Sequence, residues 1–369
     1  MYKKAELSDE VIQSQTQGGS SKYMYYIGLD IHKKTISYCV KNNAGKIFGE
    51  GTVAATRTAL DEWMPTLPQP WSGAMEATMF TGWVYDHLRD HASELKVAHP
   101  LMLKAIAAAK KKNDQIDASK IADCLRCDFL PECYIAPSAI RERRRTLRYR
   151  NLLVRQITQL KNKAAGLLME TGVAYNKEKL HQARYFKEFL TTSEELSDSL
   201  RPLLELNRSL MVTLMRTEKA LLRSLEQDAL LKERVARLLT IPAIGQVTAL
   251  SWALEIGEVT RFSSLKKAIS YCGLCGAERS SAGVAQRTPL SKQRNQHLQS
   301  VLIECAKLAP RHDEELARLH EKELQRGNRN RATLAIARRL VAYLLAVDRD
   351  QREFRPSLKE ADDKQDAAA

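Results

Sequence analysis

One acid in a strand-like apolar run limits what this chain can fold into. The run Tyr25-Tyr26-Ile27-Gly28-Leu29-Asp30-Ile31-His32 reads as a buried β-strand. A buried carboxylate is costly unless it is paired or bound to a cation. Thr35–Val40, the turn Asn42-Asn43-Ala44-Gly45 and Lys46–Val53 follow, so three consecutive antiparallel strands are predicted. Trp71-Ser72-Gly73-Ala74-Met75-Glu76-Ala77 repeats the oddity as a short buried strand ending on Glu76, with Thr78 and Gly82 opening a helix beyond it. Taken singly, Asp30 or Glu76 reads equally as a strand-end residue reaching solvent.

A third acidic feature lies in Lys110-Lys111-Lys112-Asn113-Asp114-Gln115-Ile116-Asp117-Ala118. Carboxylates three apart at a helix start project from one face, close enough to share a cation. The plainer reading is a first turn made acidic by the helix dipole. The preceding lysines put a phosphate-binding charge beside the acids. In chain order this predicts strands with an acid on the first, a helix, a strand ending in an acid, and a later helix carrying two more. That is a ribonuclease H-like mixed sheet, in which Asp30, Glu76, Asp114 and Asp117 converge on divalent ions. Two Mg²⁺ (or Mn²⁺) ions about 3.5–4 Å apart stabilise both the attacking and leaving oxygens of a phosphoryl displacement. Magnesium takes oxygen ligands from few carboxylates plus substrate phosphate.

The rest of the chain fits a polyanionic partner. Its 369 residues exceed what one core usually serves, and the formal net charge is +14. No apolar stretch approaches membrane-spanning length and no signal-peptide pattern opens the chain, so a cytoplasmic protein is expected. An odd cysteine count, seven, scattered through regular elements, points to a reducing compartment. Cys124/Cys127 and Cys272/Cys275 imitate a zinc site, but their separation favours buried structural thiols.

The middle is helical and basic. Arg141, Arg143, Arg144, Arg145, Arg148, Arg150 and Arg155 crowd a helix whose apolar residues fall at Leu153, Ile157, Leu160, Ala164 and Leu167. A second long helix shows Leu203, Leu210, Leu214, Leu221 and Leu225. Such seams predict an antiparallel hairpin or a dimerising coiled coil. With only Glu142 to balance them, the arginines read as a phosphate-contacting surface rather than a merely solvated face.

Farther on, Ile241-Pro242-Ala243-Ile244-Gly245 has the form of a turn between helices, either a phosphate-binding hairpin or plain packing. A Gly-flanked loop follows, Gly276-Ala277-Glu278-Arg279-Ser280-Ser281-Ala282-Gly283, then Leu290-Ser291-Lys292-Gln293-Arg294-Asn295. Arg279, Arg287, Lys292 and Arg294 surround the serines with positive charge. Serines in such a loop are usually turn formers.

Together these motifs resemble the insertion-sequence one-ten transposases, with their eleven-eleven branch and the Piv-type DNA invertases. The matching residues are Ile27-Gly28-Leu29-Asp30-Ile31-His32-Lys33, Met75-Glu76-Ala77, Lys112-Asn113-Asp114-Gln115-Ile116-Asp117-Ala118, Ile241–Gly245, Ser280-Ser281 and Ser291-Lys292, spanning roughly residues 25 to 350. The resemblance implies an acidic RuvC-like tetrad of Asp30, Glu76, Asp114 and Asp117 and a separate domain supplying a serine nucleophile. Ser281 aligns with that nucleophile, with Ser280 as the alternative, because Ala282 replaces the family's usual glycine. It also implies double-stranded DNA at element ends and target, an element-encoded noncoding guide RNA, a homodimer or homotetramer, and a prokaryotic, nucleoid-associated protein.

The expected organisation is α/β plus α. A disordered 1–22 precedes a RuvC-like catalytic domain at 23–138. A helical coiled-coil region at 139–236, a mainly helical C-terminal transposase domain at 237–350 and a disordered tail at 351–369 follow. Three rivals stand beside the recombinase: a junction resolvase using water as nucleophile, an actin-like ATPase, and a non-enzymatic nucleic-acid-binding coiled coil. The ATPase lacks its Asp-x-Gly phosphate turns here. The last would carry four ordered acids at a needless electrostatic cost.

Overall fold

A computed structural model of the chain describes residues 24–106, 113–281 and 284–355, and for residues 277–281 and 284–288 it describes the backbone alone. The expected polar terminus at 1–22, residues 356–369 of the expected tail, and Lys110, Lys111 and Lys112 lie outside the described residues. The chain divides into two units between Ser138 and Ala139.

In the first unit, β1 (Tyr25–Ile31), β2 (Thr35–Lys41) and β3 (Ile47–Ala54) form an antiparallel meander. Gly45, at φ 81°, closes the Asn42–Lys46 turn between β2 and β3, where a side chain would be strained. Helix α1 (Arg57–Trp63) is capped by Thr56, whose hydroxyl accepts from the Ala59 amide. It carries the chain over to β4 (Trp71–Glu76), parallel to β1, as parallel pairing requires a crossover. Helix α2 (Thr81–Leu88) leads to β5 (Glu94–Ala98), then come α3 (Pro100–Ile106) and α4 (Asp114–Arg126). The sheet order is β3-β2-β1-β4-β5.

Strand alternation sorts the two faces. Ile27, Leu29, Ile31, Met75 and Val97 enter one core with Leu60, Trp63, Val84 and Leu88. On the opposite face Ala74 and Ala98 pack against Ile121, Cys124 and Leu125 of α4. Gly28 permits that second layer: a Cβ there would lie 1.9 Å from the Ala118 carbonyl oxygen and 2.5 Å from the Ala122 nitrogen. Helix backbone therefore rests directly on strand backbone.

The second unit is mostly helical. Helix α5 (Ser138–Glu170) is followed by α6 (Ala183–Thr192), α7 (Leu200–Glu226), α8 (Ala229–Leu239), α9 (Gln246–Ile256) and α10 (Leu265–Tyr271). A two-stranded sheet of β6 (Gly276–Ser281) and β7 (Val284–Leu290) precedes α11 (Gln296–Leu308), α12 (Glu314–Gln325) and α13 (Arg329–Asp350). Helices α5 and α7 run antiparallel. Ala164 and Leu168 share a cluster with Leu200, Leu204 and α6's Phe186 and Phe189, whereas Leu147 and Leu225 join the core of α8–α13. Between them Arg150 donates to Glu218 at 2.6 Å. The expected break after residue 236 falls inside α8, whose Leu231, Val235 and Leu238 enter the same core as α9.

Two expectations are corrected. The α7 stripe buried within the chain is Leu204, Asn207, Met211 and Leu225, whereas Leu203 and Leu210 are each 49% exposed. Leucines occupy neighbouring stripes of α7, and over its first half packing against α5 and α6 selects the one a residue farther on. The segment containing Ser280 and Ser281 is a β-hairpin strand rather than a loop, with Ser281 opposite Val284 at the end of the ladder.

Candidate metal centre and serine hairpin

Strand register sets Asp30 and Glu76 on neighbouring strands. Leu29 pairs with Met75 between parallel β1 and β4, so Asp30 and Glu76 each stand one residue beyond that pair, on the face turned toward α4. The Thr81 hydroxyl fixes the end of β4 by donating to the Glu76 carbonyl at 2.8 Å. Helix α4 then delivers its acids from above. Asn113 caps it by accepting from the Gln115 amide, and the Gln115 side chain donates to the Tyr38 carbonyl at 2.8 Å, pinning the helix start to β2. Asp114 lies one turn before Ala118, the residue seated on Gly28, and so reaches toward Asp30.

His32 joins them from just past β1. Its Nε2 lies 3.1 Å from Asp30 Oδ2 and 3.5 Å from Asp114 Oδ2. Asp30, His32 and Asp114 each place a donor atom within 4.8 Å of the others. Burial raises the Asp30 carboxyl above the usual carboxylate range. The nearby imidazole of His32 opposes this, and the charges of Asp114 and Asp117 add to the rise. Carboxylates gathered in this way form a site short of positive charge, and the donor set, mostly oxygen, suits a divalent cation. Asp117 stands in the same first turn, where it accepts from Lys120 at 3.4 Å. Exposed Lys33 and Lys34 follow His32 in the turn to β2. The sequence reading assigned His32 no role, although its two-residue offset from Asp30 was a usable signal.

In the second unit the serine hairpin is held at its base. The Ser291 amide donates to the Cys275 carbonyl at 3.1 Å, the Asn295 amide to the Tyr271 carbonyl at 2.9 Å, and the Gln299 side chain to the Gly273 carbonyl at 2.6 Å. Asn295 caps α11 and donates through Nδ2 to Glu255 at 2.8 Å. Arg294 donates to the Ser291 carbonyl at 2.7 Å, and Lys292 beside it is exposed. Of Arg279 and Arg287 the backbone is described: they flank the β6–β7 register, Arg287 opposite Glu278 and Arg279 opposite Gln286. Ile241 and Ile244 are buried, so the Pro242–Gly245 turn between α8 and α9 is built into the core.

Part of the arginine cluster of α5 is engaged within the chain. Arg148 makes paired contacts with Glu255 at 2.7 and 2.8 Å, Arg144 donates to the Leu254 carbonyl at 2.9 Å, and Arg143 donates to Asp228 at 2.7 Å. These guanidinium groups fasten α5 to α8 and α9, which engages charge that the sequence assigned to phosphate. Arg141 is half-buried, whereas Arg145 and Arg155 are exposed.

A mixed five-stranded sheet with acids beyond a β1–β4 pair and a third acidic element laid across it defines a ribonuclease H-like α/β domain, here joined to a helical second unit. Residues 27–172 match a family model of DEDD transposases of the IS110 group, described as Transposase, and residues 235–321 match one described as Transposase IS116/IS110/IS902 family. The chain belongs to the IS110 family of transposases, DNA-cutting recombinases whose acidic centre implies a divalent metal. It is 24% identical to the transposase for insertion sequence element IS1328 of Yersinia enterocolitica over 87% of this chain and 96% of that one. It is 24% identical to the transposase for IS1111A of Coxiella burnetii over 91% and 93%. A probable family 20 transposase of Pseudomonas aeruginosa is also 24% identical, over 77% and 85%. No helix among the described residues is long and apolar enough to cross a membrane.

Proposed function

We propose that this transposase cuts and rejoins DNA through a phosphoserine intermediate formed by Ser281, with Asp30, Glu76, Asp114 and Asp117 holding Mg²⁺ or Mn²⁺. The observation that carries the reading is the convergence of Asp30 and Asp114 across the Gly28 contact, with Asp30's carboxyl raised chiefly by burial and further by the neighbouring acids. A divalent ion there supplies neutralisation of phosphate charge and activation of an attacking hydroxyl. The Ser281 Oγ–phosphorus bond forms as the bridging deoxyribose oxygen departs as a hydroxyl. The Oγ proton passes through a carboxylate or water to that leaving group. Attack of a deoxyribose hydroxyl on the phosphoserine restores a phosphodiester and frees the serine. Lys33, Lys34, Lys292 and Arg294 bind backbone phosphate.

The same reading includes double-stranded DNA, an element-encoded noncoding guide RNA and a homo-oligomer, with the exposed Leu203 and Leu210 stripe of α7 available for helix packing between subunits. Sequencing RNA that copurifies with the protein tests the guide.

The central test traps the protein on a suicide DNA substrate and maps the adduct by mass spectrometry. A DNA adduct on Ser281, lost in Ser281→Ala and absent in Asp30→Ala and Glu76→Ala with the fold intact, supports the proposal. An adduct on Ser280 moves the nucleophile by one residue. Strand transfer by the Ser280/Ser281 double alanine variant overturns serine attack and leaves a hydroxyl or water activated at the acidic site.

A further inference from the structure

Among the described residues, the acidic centre includes a ring nitrogen donor. His32 Nε2 faces two carboxylates at once, Asp30 at 3.1 Å and Asp114 at 3.5 Å. Its side chain is 50% exposed, so it is not a core histidine filling space. A single ring N–H points along one in-plane direction and donates well to one oxygen, so a hydrogen bond to Asp30 leaves the approach to Asp114 unexplained. A cation explains both distances. Bonds of about 2.1 Å meeting at right angles set neighbouring ligands about 3 Å apart, and a tetrahedral arrangement sets them about 3.4 Å apart.

We propose that His32 is a ligand of the divalent ion held by Asp30 and Asp114. This rests on reading the acids as a metal centre. The Nε2 lone pair is donated to the ion while the ring proton stays on Nδ1, so nothing in the chain is oxidised or cleaved. The consequence is selectivity. Magnesium favours oxygen and gives up its water reluctantly, whereas imidazole is a good ligand for first-row transition ions. The mixed nitrogen–oxygen site takes Mn²⁺ ahead of Mg²⁺.

The experiment uses the full-length protein, titrated with Mn²⁺ and studied by pulsed electron paramagnetic resonance. The bound Mn²⁺ is expected to show coupling to ¹⁴N that changes on ¹⁵N-histidine labelling. His32→Gln is expected to lose that coupling, to bind Mn²⁺ about tenfold more weakly, and to lose much of the preference for Mn²⁺ over Mg²⁺ in competition. Bound Mn²⁺ without nitrogen coupling overturns the assignment of His32, as does coupling that persists in His32→Gln. If the wild type binds no Mn²⁺ and Asp30→Ala behaves identically, the metal-centre reading fails, and this inference with it.

Discussion

Arg148→Met tests the buried polar centre of the second unit. Glu255 is 0% exposed in the apolar helix α9, and its carboxylate receives both arms of Arg148 and the Asn295 amide, with Arg144 at 3.8 Å. Burial pushes this carboxyl upward, but the hydrogen bonds and charge of Arg148, then Asn295 and Arg144, bring it below the usual range. Removing one partner of a buried pair costs about 3–5 kcal/mol. Arg148 is itself 46% exposed and two other donors remain, so the expected loss near neutral pH is at the low end, about 3 kcal/mol. The sign of the pH dependence follows. In the wild type the depressed carboxyl contributes stability present above the ordinary carboxylate range and lost as pH falls through its folded value. In Arg148→Met burial dominates and the carboxyl rises, so the variant regains stability as pH falls. The gap therefore narrows from about pH 8 to about pH 5. Urea unfolding followed by hydrogen exchange of peptides covering α9 and α11 measures it. A variant within about 0.5 kcal/mol of wild type, with the same gap at both pH values, would refute the argument.

Gly28→Ala places a methyl group against helix backbone that cannot rotate away, so a loss of about 2–3 kcal/mol is expected, with weakened Mn²⁺ binding; melting curves and a metal titration read both. Asp30→Asn should raise the metal-free melting temperature and abolish the rise caused by Mn²⁺, as calorimetry can show. A raised carboxyl gives stability that is complete below the ordinary carboxylate range and lost as pH rises through its folded value, and the amide has no such loss. Arg145→Glu with Arg155→Glu, both exposed, should weaken nucleic-acid binding at every sequence and flatten the salt slope by about 0.9 per lost phosphate contact, measured by fluorescence anisotropy.

The first unit was legible because its signals are local. A carboxylate in an apolar strand, an Asn-Gly turn and an Asn cap ahead of two acids each state their structure within about eight residues. The partners of α5 are not local: Arg143, Arg148 and Arg150 meet acids 85, 107 and 68 residues away. A basic helix face looks the same in sequence whether phosphate or a distant carboxylate will neutralise it. The missed clue was Glu255 itself, a lone charge in the apolar run Ala249–Ile256 that must find a cation. Likewise two leucine stripes on α7 compete, and tertiary packing decides between them. His32 went unassigned because a strand-end histidine acquires a role only once α4 is in place.

The contact between Gly28 and α4 also bears on how a dangerous activity is kept silent during synthesis. A ribosome that has made β1 through β5 has made Asp30 and Glu76 but not Asp114, and the acids of the sheet then face solvent with no lid of helix backbone above them. Strand pairing alone leaves the cluster incomplete, so a stalled or truncated product ending before α4 has Asp30 and His32 without Asp114. The acidic cluster itself is assembled in one step, when residues 114–126 dock on a strand that a single glycine has left bare.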